Sequence, residues 1–377
     1  MDNIILSSGL SFLITFFSIP VIIQVAKEKK LFDEPDDRKV HKAVIPTLGG
    51  LGIFAGFVIA TLIGAPQSGN SELQYFIAAA IVIFFLGLKD DILILSASKK
   101  FLGQIIAAGI LIKFGAVQIT NMHGFLGIYG IPNMASIVLS MFTIIVITNS
   151  FNLIDGVDGL AGSLGILTTL TFGAYFYYIG QMPYAVMAFA LAGSLISFLI
   201  YNFPPAKIFM GDTGSLLVGL INSILVIKFI NVAADPATIL HFDSAPAIGF
   251  AVMMIPLFDT LRVFGLRILS RRSPFSPDRN HIHHFLLDLG LNHRSTTLIC
   301  FSANLLFIIF AVLFQNIGTT LLLSLLFVIG FAATGIIYQL RQKKMKKKVA
   351  QESVSREKEL LSTHKMLNLV SETADVD

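Results

Sequence analysis

The chain has 377 residues, of which 55% are hydrophobic and 13% are charged, and its formal net charge is +4. Soluble domains carry about 25% charged residues, so this composition excludes an ordinary soluble protein and predicts an all-α polytopic integral membrane protein. Its one cysteine, Cys300, lies in an apolar run, which excludes a disulfide framework and a cysteine-based metal site.

Eleven apolar stretches are long enough to cross a bilayer core, which takes about 20 helical residues. They fall at 4–26, 47–65, 73–88, 101–118, 134–149, 160–180, 184–201, 214–232, 245–266, 296–314 and 318–340. The first has no Lys or Arg before it and no cleavage site after it, so we interpret it as a retained helix. Residues 1–340 are predicted to form the transmembrane domain. Residues 341–377 are predicted to anchor to anionic lipid and then to continue as a disordered or loosely helical, mixed-charge tail.

The distribution of Lys and Arg predicts the orientation, because these residues are enriched in cytoplasmic loops. With the N-terminus outside and the C-terminus cytoplasmic, the inner stretches are 27–46, 89–100, 149–159, 202–213, 267–295 and the tail. They hold every Lys and Arg except Arg262, at the end of the ninth apolar stretch, and Lys113 and Lys228, which could snorkel from the outer ends of helices. Since an even number of spans separates each polar stretch from the next, all are predicted to share one cytoplasmic face.

The first inner stretch, DEPDDRKVHKAVIPTLGG, places Arg38 and Lys39 directly after two aspartates. Adjacent basic and acidic groups beside a bilayer suit recognition of an anionic headgroup or phosphate. The alternative is a plain positive-inside stop signal.

The second inner stretch begins with Asp90 and Asp91 at the end of an apolar run, and Lys99 and Lys100 follow. Paired carboxylates repel each other, which suits them to hold Mg²⁺ or to accept a proton. The alternative is an N-cap for a following short helix.

The third polar stretch, NSFNLIDGVDGLAG, spaces Asn149, Asn152, Asp155 and Asp158 three residues apart. This spacing predicts four polar groups on one face of a helical turn, where they can converge on one ligand. Carboxylates at the mouth of a membrane segment require a positive partner, such as a metal, a basic side chain or a proton. The alternative is a solvated loop.

The fourth stretch, NFPPAKIFMGDTGS, places Asp212 between two glycines directly before an apolar helix. An aspartate at a helix start can bind a metal while nearby backbone N–H groups face phosphate oxygens. The stretch lacks the spacing of a P-loop, which argues against a nucleoside triphosphatase.

The fifth stretch, RRSPFSPDRNHIHHFL, contains Arg279, His281, His283 and His284. Zinc sites on helices prefer wider spacing, such as His-x-x-x-His. Hydrogen bonding of these side chains to phosphate or sugar oxygens is therefore the favoured interpretation.

Five stretches resemble, in order, those of the polyprenyl-phosphate N-acetylhexosamine-1-phosphate transferases, the MraY and WecA superfamily. They are DDRKVHKAVIPTLGG, GLKDD, NSFNLIDGVDGLAG, NFPPAKIFMGDTGS and DRNHIHHFL. The HIHH form is more similar to the WecA and TagO branch, which transfers GlcNAc-1-phosphate, than to the branch that transfers phospho-MurNAc-pentapeptide.

The resemblance implies transfer of N-acetylhexosamine-1-phosphate from a UDP-sugar to undecaprenyl phosphate, with release of UMP, at the cytoplasmic face of a bacterial inner membrane. It implies Mg²⁺, for which Mn²⁺ could substitute, with Asp212 as the ligand assisted by Asn152. Asp90 and Asp91 would lie next to the attacking phosphate as catalytic residues. The residues predicted to bind substrate are Arg38, Lys39, Lys100, Asn149, Asp155, Asp158, Arg279, His281, His283 and His284. The predicted partners are the two substrates, the lipid bilayer and a second copy of the chain, with no nucleic acid.

Basic groups, histidines and a metal suit this reaction, because a lipid phosphate attacking a diphosphate brings two anions together. The sequence favours direct attack over a covalent aspartyl intermediate, since the acceptor phosphate is already mostly dianionic at neutral pH. A transporter is the competing class, but it should show polar groups at mid-helix depth or an inverted repeat. An intramembrane metalloprotease would need a His-Glu-x-x-His motif, which is absent.

Overall fold

The computed structural model describes residues 2–29, 32–33, 45–66, 72–93, 95–272 and 279–374. The helices within these ranges are α1 (Asp2–Lys29), α2 (Gly49–Gly64), α3 (Glu72–Leu93), α4 (Ala97–Lys113), α5 (Asn133–Ile154), α6 (Leu160–Tyr178), α7 (Met182–Asn202), α8 (Gly211–Ala233), α9 (Ala245–Val252), α10 (Met254–Leu269), α11 (Ile282–Asp288), α12 (His293–Leu313) and α13 (Thr319–Ala374). The strands are β1 (Phe32–Asp33), β2 (Ile45–Pro46), β3 (Asn121–Phe125) and β4 (Ile128–Gly130).

The strands form two small antiparallel pairs at the margins of the helical bundle. Phe32 pairs with Pro46 between β1 and β2, and Phe125 pairs with Ile128 across the β3–β4 hairpin. The hairpin is fastened to the start of α13, where the Thr319 hydroxyl donates a 2.9 Å hydrogen bond to the His123 carbonyl.

The all-α, polytopic membrane architecture predicted from composition is confirmed. Within the described ranges, seven helices are long and apolar enough to cross a membrane, or eight if the bent pair α9–α10 forms one span. Each of the eleven predicted stretches is helical, but α2 has only 16 residues and α3 and α4 carry charged side chains near their ends. The number of eleven spans and the outward N-terminus stay predictions.

Helix α8 lies at the centre of the bundle, packed against α2, α3, α5 and α6. Its sequence is apolar nearly all the way round, as expected of a helix buried on every side. Gly219 permits the close packing on α5, because a Cβ there would come within 2.6 Å of the Thr148 Cα. The buried position of α8 fixes its N-terminus, which carries Asp212, at the meeting point of several helices.

The ninth apolar stretch, predicted as one helix, is broken into α9 and α10, which meet at 89°. Pro256 lies in the first turn of α10, where its missing N–H has no intrahelical partner to lose. The buried Asn304 side chain of α12 forms hydrogen bonds with backbone groups on both sides of the break. It donates to the Val252 carbonyl and accepts from the Ile255 N–H, both at 2.8 Å. Helix α10, which follows the break, carries Asp259 and Arg262 within its first three turns.

Lys228 does not snorkel to the outer interface as the sequence suggested. Its ammonium is buried and lies 2.8 Å from Glu72 Oε2, which also accepts a 2.7 Å hydrogen bond from the Tyr184 hydroxyl. The reason is that an inward partner was available on α3, and pairing a lysine inside a membrane protein is favoured over exposing it to lipid.

Candidate active site

The ends of α3, α4, α5 and α8 meet in a polar centre built from Asp90, Lys100, Asn152 and Asp212. The Lys100 ammonium lies 2.8 Å from Asp212 Oδ2 and also contacts the Asp90 carboxylate. Asn152 Nδ2 donates to Asp212 Oδ1 at 2.9 Å and to the Ser215 hydroxyl at 2.9 Å. Three of the polar stretches expected to share one face therefore do come into contact.

Asp91 caps the N-terminus of α8. Its Oδ1 accepts the Asp212 N–H at 2.7 Å, and its Oδ2 accepts the Thr213 N–H at 3.0 Å. The first N–H groups of a helix lack intrahelical partners and carry partial positive charge, so a carboxylate is well suited to this place. Gly211 makes room for it: its φ is +70°, and a Cβ there would lie 2.7 Å from both Asp91 oxygens.

The partners of Asp90 differ from those of Asp91. Its Oδ1 accepts the Leu95 N–H at 2.5 Å, in the connection that leads into α4, while its Oδ2 contacts the Lys100 ammonium. The sequence offered helix capping as the alternative role of this aspartate pair, and Asp91 does cap a helix. That helix is α8, far along the chain, and not the short helix that follows the pair.

The third polar stretch does not place its four side chains on one helix face, and that prediction is wrong. Helix α5 ends at Ile154, and Gly159, with a φ of +76°, starts α6 after a short turn. Asn149, five residues before that end, pairs with Gln104 of α4, whose Oε1 accepts from Asn149 Nδ2 at 2.7 Å. The glycines in the stretch favour the turn over a continued helix.

Asp155 lies in this turn as a partly buried acid. Its carboxylate receives no hydrogen bond from the residues that the structure describes. Burial, and then the negative charges of Asp212, Asp91 and Asp158, raise the pKa of Asp155 well above its usual range. A cation beside Asp155 would favour its ionised form.

Asp158 is directed into the scaffold. Its Oδ2 accepts the Ala206 N–H at 3.2 Å, its carbonyl accepts the Thr297 hydroxyl at 2.9 Å, and the His293 Nδ1 lies 3.3 Å from its Oδ1. These contacts tie the turn to α12 and to the segment before α8. The role of Asp158 in substrate binding stays a prediction.

His281 is held by two residues of α10 that sequence reasoning did not select. Its Nδ1 lies 2.9 Å from Asp259 Oδ2, and Arg262 donates to Asp259 Oδ1 at 2.7 Å. The Arg262 guanidinium also contacts the Asn280 carbonyl. A signal was present, because a carboxylate inside an apolar stretch marks a functional or structural site.

His283 and His284 are close to the turn that carries Asp155. The His283 Nε2 would lie only 3.1 Å from a Cβ placed on Gly156, so the ring packs directly on that glycine. Burial lowers the pKa of His283 to about 3, and burial followed by the charge of Arg279 lowers the pKa of His284 to about 4. Both rings are therefore neutral at pH 7 in this environment, and their role in binding substrate stays a prediction.

Several other residues of the candidate site need separate mention. Arg38 and Lys39 lie outside the described residues. Arg279 is exposed, and its positive charge is close enough to His284 to lower the pKa of that histidine. The residues that contact the predicted ones but were not selected from the sequence are Gln104, Thr213, Ser215, Asp259, Arg262 and His293. Except for Asp259 and Arg262, they are common polar residues whose partners are far away in sequence.

An apolar groove lies beside the polar centre, between α4, α5 and α10. Its volume is about 680 Å³, and its lining includes Phe101, Met141, Phe264 and Ile268, with Asn149 at the polar side. A second apolar cavity of about 240 Å³ shares Phe142, Val146 and Leu261 with the groove and continues toward the β3–β4 hairpin. Residues of α10 that follow the bend line both spaces.

The chemistry of the polar centre is compatible with a hard divalent cation. Among the described residues, no three His, Cys, Asp or Glu side chains are grouped as a metal site. Mg²⁺, however, is commonly held by one or two carboxylates together with water and substrate phosphates. Asp212 supplies such a carboxylate, and a cation there would offset the repulsion from neighbouring carboxylates that raises the pKa of Asp155.

Comparison with known proteins gives a consistent result. Residues 73–230 match the model of Glycosyl transferase family 4. A probable undecaprenyl-phosphate N-acetylglucosaminyl 1-phosphate transferase of Bacillus subtilis is 32% identical over 87% of this chain and 90% of its own length. A decaprenyl-phosphate N-acetylglucosaminephosphotransferase of Mycobacterium tuberculosis is 33% identical over 77% of each chain. An undecaprenyl-phosphate α-N-acetylglucosaminyl 1-phosphate transferase of Escherichia coli is 27% identical over 78% of this chain and 80% of its own.

The fold and the polar centre define a multi-pass membrane protein whose charged helix ends lie next to an apolar groove. The comparisons define its class as a glycosyl-1-phosphate transferase enzyme. The chain belongs to Glycosyl transferase family 4, within the superfamily of polyprenyl-phosphate hexosamine-1-phosphate transferases.

Proposed function

We propose that the protein transfers N-acetylglucosamine-1-phosphate from UDP-GlcNAc to undecaprenyl phosphate, releasing UMP, at the cytoplasmic face of the bacterial inner membrane. The product, undecaprenyl-diphospho-GlcNAc, would begin a cell-envelope polysaccharide. The names of the relatives support both the sugar and the polyprenyl acceptor. The HIHH sequence favours this reaction over transfer of phospho-MurNAc-pentapeptide.

The observation that carries the proposal is the position of Lys100 between Asp90 and Asp212, beside the apolar groove. A reaction between two phosphate groups needs fixed positive charge where the anions meet, and Lys100 supplies it. A lipid acceptor needs an apolar surface that reaches this same place. The groove provides one, and Phe101 of its lining directly follows Lys100.

Asp212, with Asn152, is proposed to hold Mg²⁺. The bound cation would neutralise charge on the diphosphate and on the leaving UMP. Two neighbouring residues position Asp212 for this role. Asp91 fixes the first turn of α8, and Asn152 orients the Asp212 carboxylate through a 2.9 Å hydrogen bond. Neutral His283 and His284 would serve as hydrogen-bonding groups for sugar or phosphate oxygens, and exposed Arg279 would contribute positive charge nearby.

The test is transfer of label from UDP-[¹⁴C]GlcNAc to an organic-soluble product by the purified protein with undecaprenyl phosphate and Mg²⁺. We expect label to appear with UDP-GlcNAc and not with UDP-MurNAc-pentapeptide. Asp212→Asn should lower turnover about a hundredfold or more, since it weakens the charge stabilisation of the reacting phosphates.

The matched control is Asp243→Asn, the same chemical change at an exposed aspartate between α8 and α9. It should transfer label at the rate of the unmodified protein. Unchanged turnover of Asp212→Asn would move the metal to Asp90 or Asp91. Absence of transfer from every UDP-sugar in a panel would contradict the proposed function.

A further inference from the structure

Helix α13 continues beyond its apolar part into a strongly basic segment, Arg341–Lys348. This basic segment contains six Lys or Arg and no acidic residue. The apolar part, Thr319–Leu340, rises about 33 Å at 1.5 Å per residue, and a bilayer core is about 30 Å thick. The basic segment therefore falls at the level of the lipid headgroups.

One face of the basic segment is fastened to α11. The Arg341 Nε and terminal nitrogen lie 2.8 and 2.7 Å from Asp288 Oδ2, and its guanidinium stacks 4.6 Å from the Phe285 ring. One turn later, Lys344 Nζ donates to the Leu289 carbonyl at 2.7 Å, just past the end of α11. These contacts place positive charge at the C-terminal end of α11, where the helix dipole favours it.

Helix α11 carries two of the three histidines of the candidate site. His283 packs on Gly156, next to Asp155 in the turn between α5 and α6. The helix has only seven residues, too few to be stable without contacts to the rest of the protein. Its placement against the turn therefore depends on neighbours such as Arg341 and Asp259.

The opposite face of the basic segment is exposed. Lys343, Lys346 and Lys347 are spaced three and four residues apart, so they share one side of α13, turned away from Arg341 and Lys344. Three exposed cations at headgroup level are complementary to an anionic lipid surface.

We propose that anionic phospholipid binds this lysine face and thereby holds α13 against α11, so that the bilayer's charge controls the placement of the site histidines. We assign lipid as the ligand of this face because the three lysines lie directly beyond the end of an apolar helix, at the depth of the headgroups. The effect on turnover rests on the proposed function. The effect on the α11–α13 contact does not.

The chain contains no tryptophan, so the fluorescence of one introduced Trp reports only on the surroundings of that position. Tyr338, 46% exposed, lies on α13 with its ring 5.9 Å from that of Phe285 on α11. Tyr338→Trp protein is placed in nanodiscs of phosphatidylcholine alone or with phosphatidylglycerol. We expect phosphatidylglycerol to shift the emission to shorter wavelength as the contact with α11 tightens and excludes water.

Two variants in the Tyr338→Trp background identify the cause of the shift. Lys346→Gln/Lys347→Gln should lose most of it, whereas Lys27→Gln/Lys29→Gln, with the same loss of charge at the exposed end of α1, should retain it. Asp288→Asn should also lose the shift, because it breaks the link to α11 without touching the lysine face. An equal shift in the Lys346→Gln/Lys347→Gln or Asp288→Asn variant, or no shift in the parent, would overturn the proposal.

Turnover in the same nanodiscs tests the coupling. We expect a several-fold higher rate in phosphatidylglycerol discs, seen mainly in the KM for the UDP-sugar, and lost in Lys346→Gln/Lys347→Gln. Equal rates in both discs for an active enzyme would overturn the control of catalysis by lipid. A protein that shows the emission shift but transfers no sugar would contradict the proposed function and leave the lipid-dependent contact supported.

Discussion

The two adjacent aspartates at the end of α3 have different tasks despite their identical chemistry. Asp91 accepts two backbone N–H groups of α8, and Asp90 accepts the Leu95 N–H and contacts Lys100. The sequence predicted that this pair belongs to the site. It could not predict which aspartate caps a helix and which contacts Lys100, because the α8 backbone that Asp91 caps lies more than a hundred residues further along the chain.

This division leads to a prediction about the mechanism. We expect that lipid-free enzyme does not exchange labelled UMP into UDP-GlcNAc, because the oxygens of both aspartates are engaged by hydrogen bonds or by Lys100. A carboxylate used in this way is a poor nucleophile, whereas a phosphate monoester with a second pKa of about 6 is mostly dianionic at pH 7. The measurement is radioactive exchange without undecaprenyl phosphate, with complete reaction mixtures as the positive control. Exchange that disappears in Asp90→Asn or Asp91→Asn would identify that residue as the nucleophile.

At the scale of the helices, the break between α9 and α10 is the feature that most shapes the site. Helix α10, which follows the break, brings Asp259 Oδ2 to 2.9 Å from His281 Nδ1 and forms one wall of the groove between α4, α5 and α10. Periodicity and hydropathy predicted the helical stretch correctly but not its break, since Pro256 is compatible with the first turn of a helix. The partner that completes the break, Asn304, is a single amide in an otherwise apolar run of α12.

We expect Asn304→Leu to lower the thermal stability of the protein markedly. It leaves the Val252 carbonyl and the Ile255 N–H without their partner, and each unpaired buried backbone group costs about 1–3 kcal/mol. The measurement is the melting temperature of purified protein in detergent. Ser302→Leu, a change at an exposed position of the same helix, is the control and should have the melting temperature of the parent protein. If Asn304→Leu also melts with the parent, the amide does not hold the bend.

On the scale of the whole molecule, the sequence predicted that separate polar stretches share one face, and the contacts among Asp90, Lys100, Asn152 and Asp212 agree with it. That argument needed only the count of helices and the positions of charge. The tail was less predictable: it is described as a helix to Ala374, continuous with the last apolar stretch. Composition alone does not distinguish a charged helix from a disordered segment, and the Arg341–Asp288 contact at the start of the tail is a tertiary one that composition does not reveal.

The orientation of this face follows from the positive-inside rule and predicts where introduced cysteines will react. Lys100, Arg279 and Arg341 all belong to stretches that the rule assigns to the cytoplasm. We therefore expect Ala237→Cys, in the exposed segment between α8 and α9, to react with a membrane-impermeant maleimide on intact bacterial cells. Ser98→Cys, exposed in the first turn of α4, should react only after permeabilisation.

The parent chain is the control for this labelling, since its one cysteine, Cys300, is only 2% exposed and should stay unlabelled in both conditions. Labelling of Ser98→Cys on intact cells, with protection of Ala237→Cys, would reverse the orientation. It would also remove the site from a cytoplasmic UDP-sugar, because Ser98 lies two residues from Lys100 and so on the same side of the bilayer as the polar centre. One experiment thus tests both the direction of insertion and the access of the donor substrate.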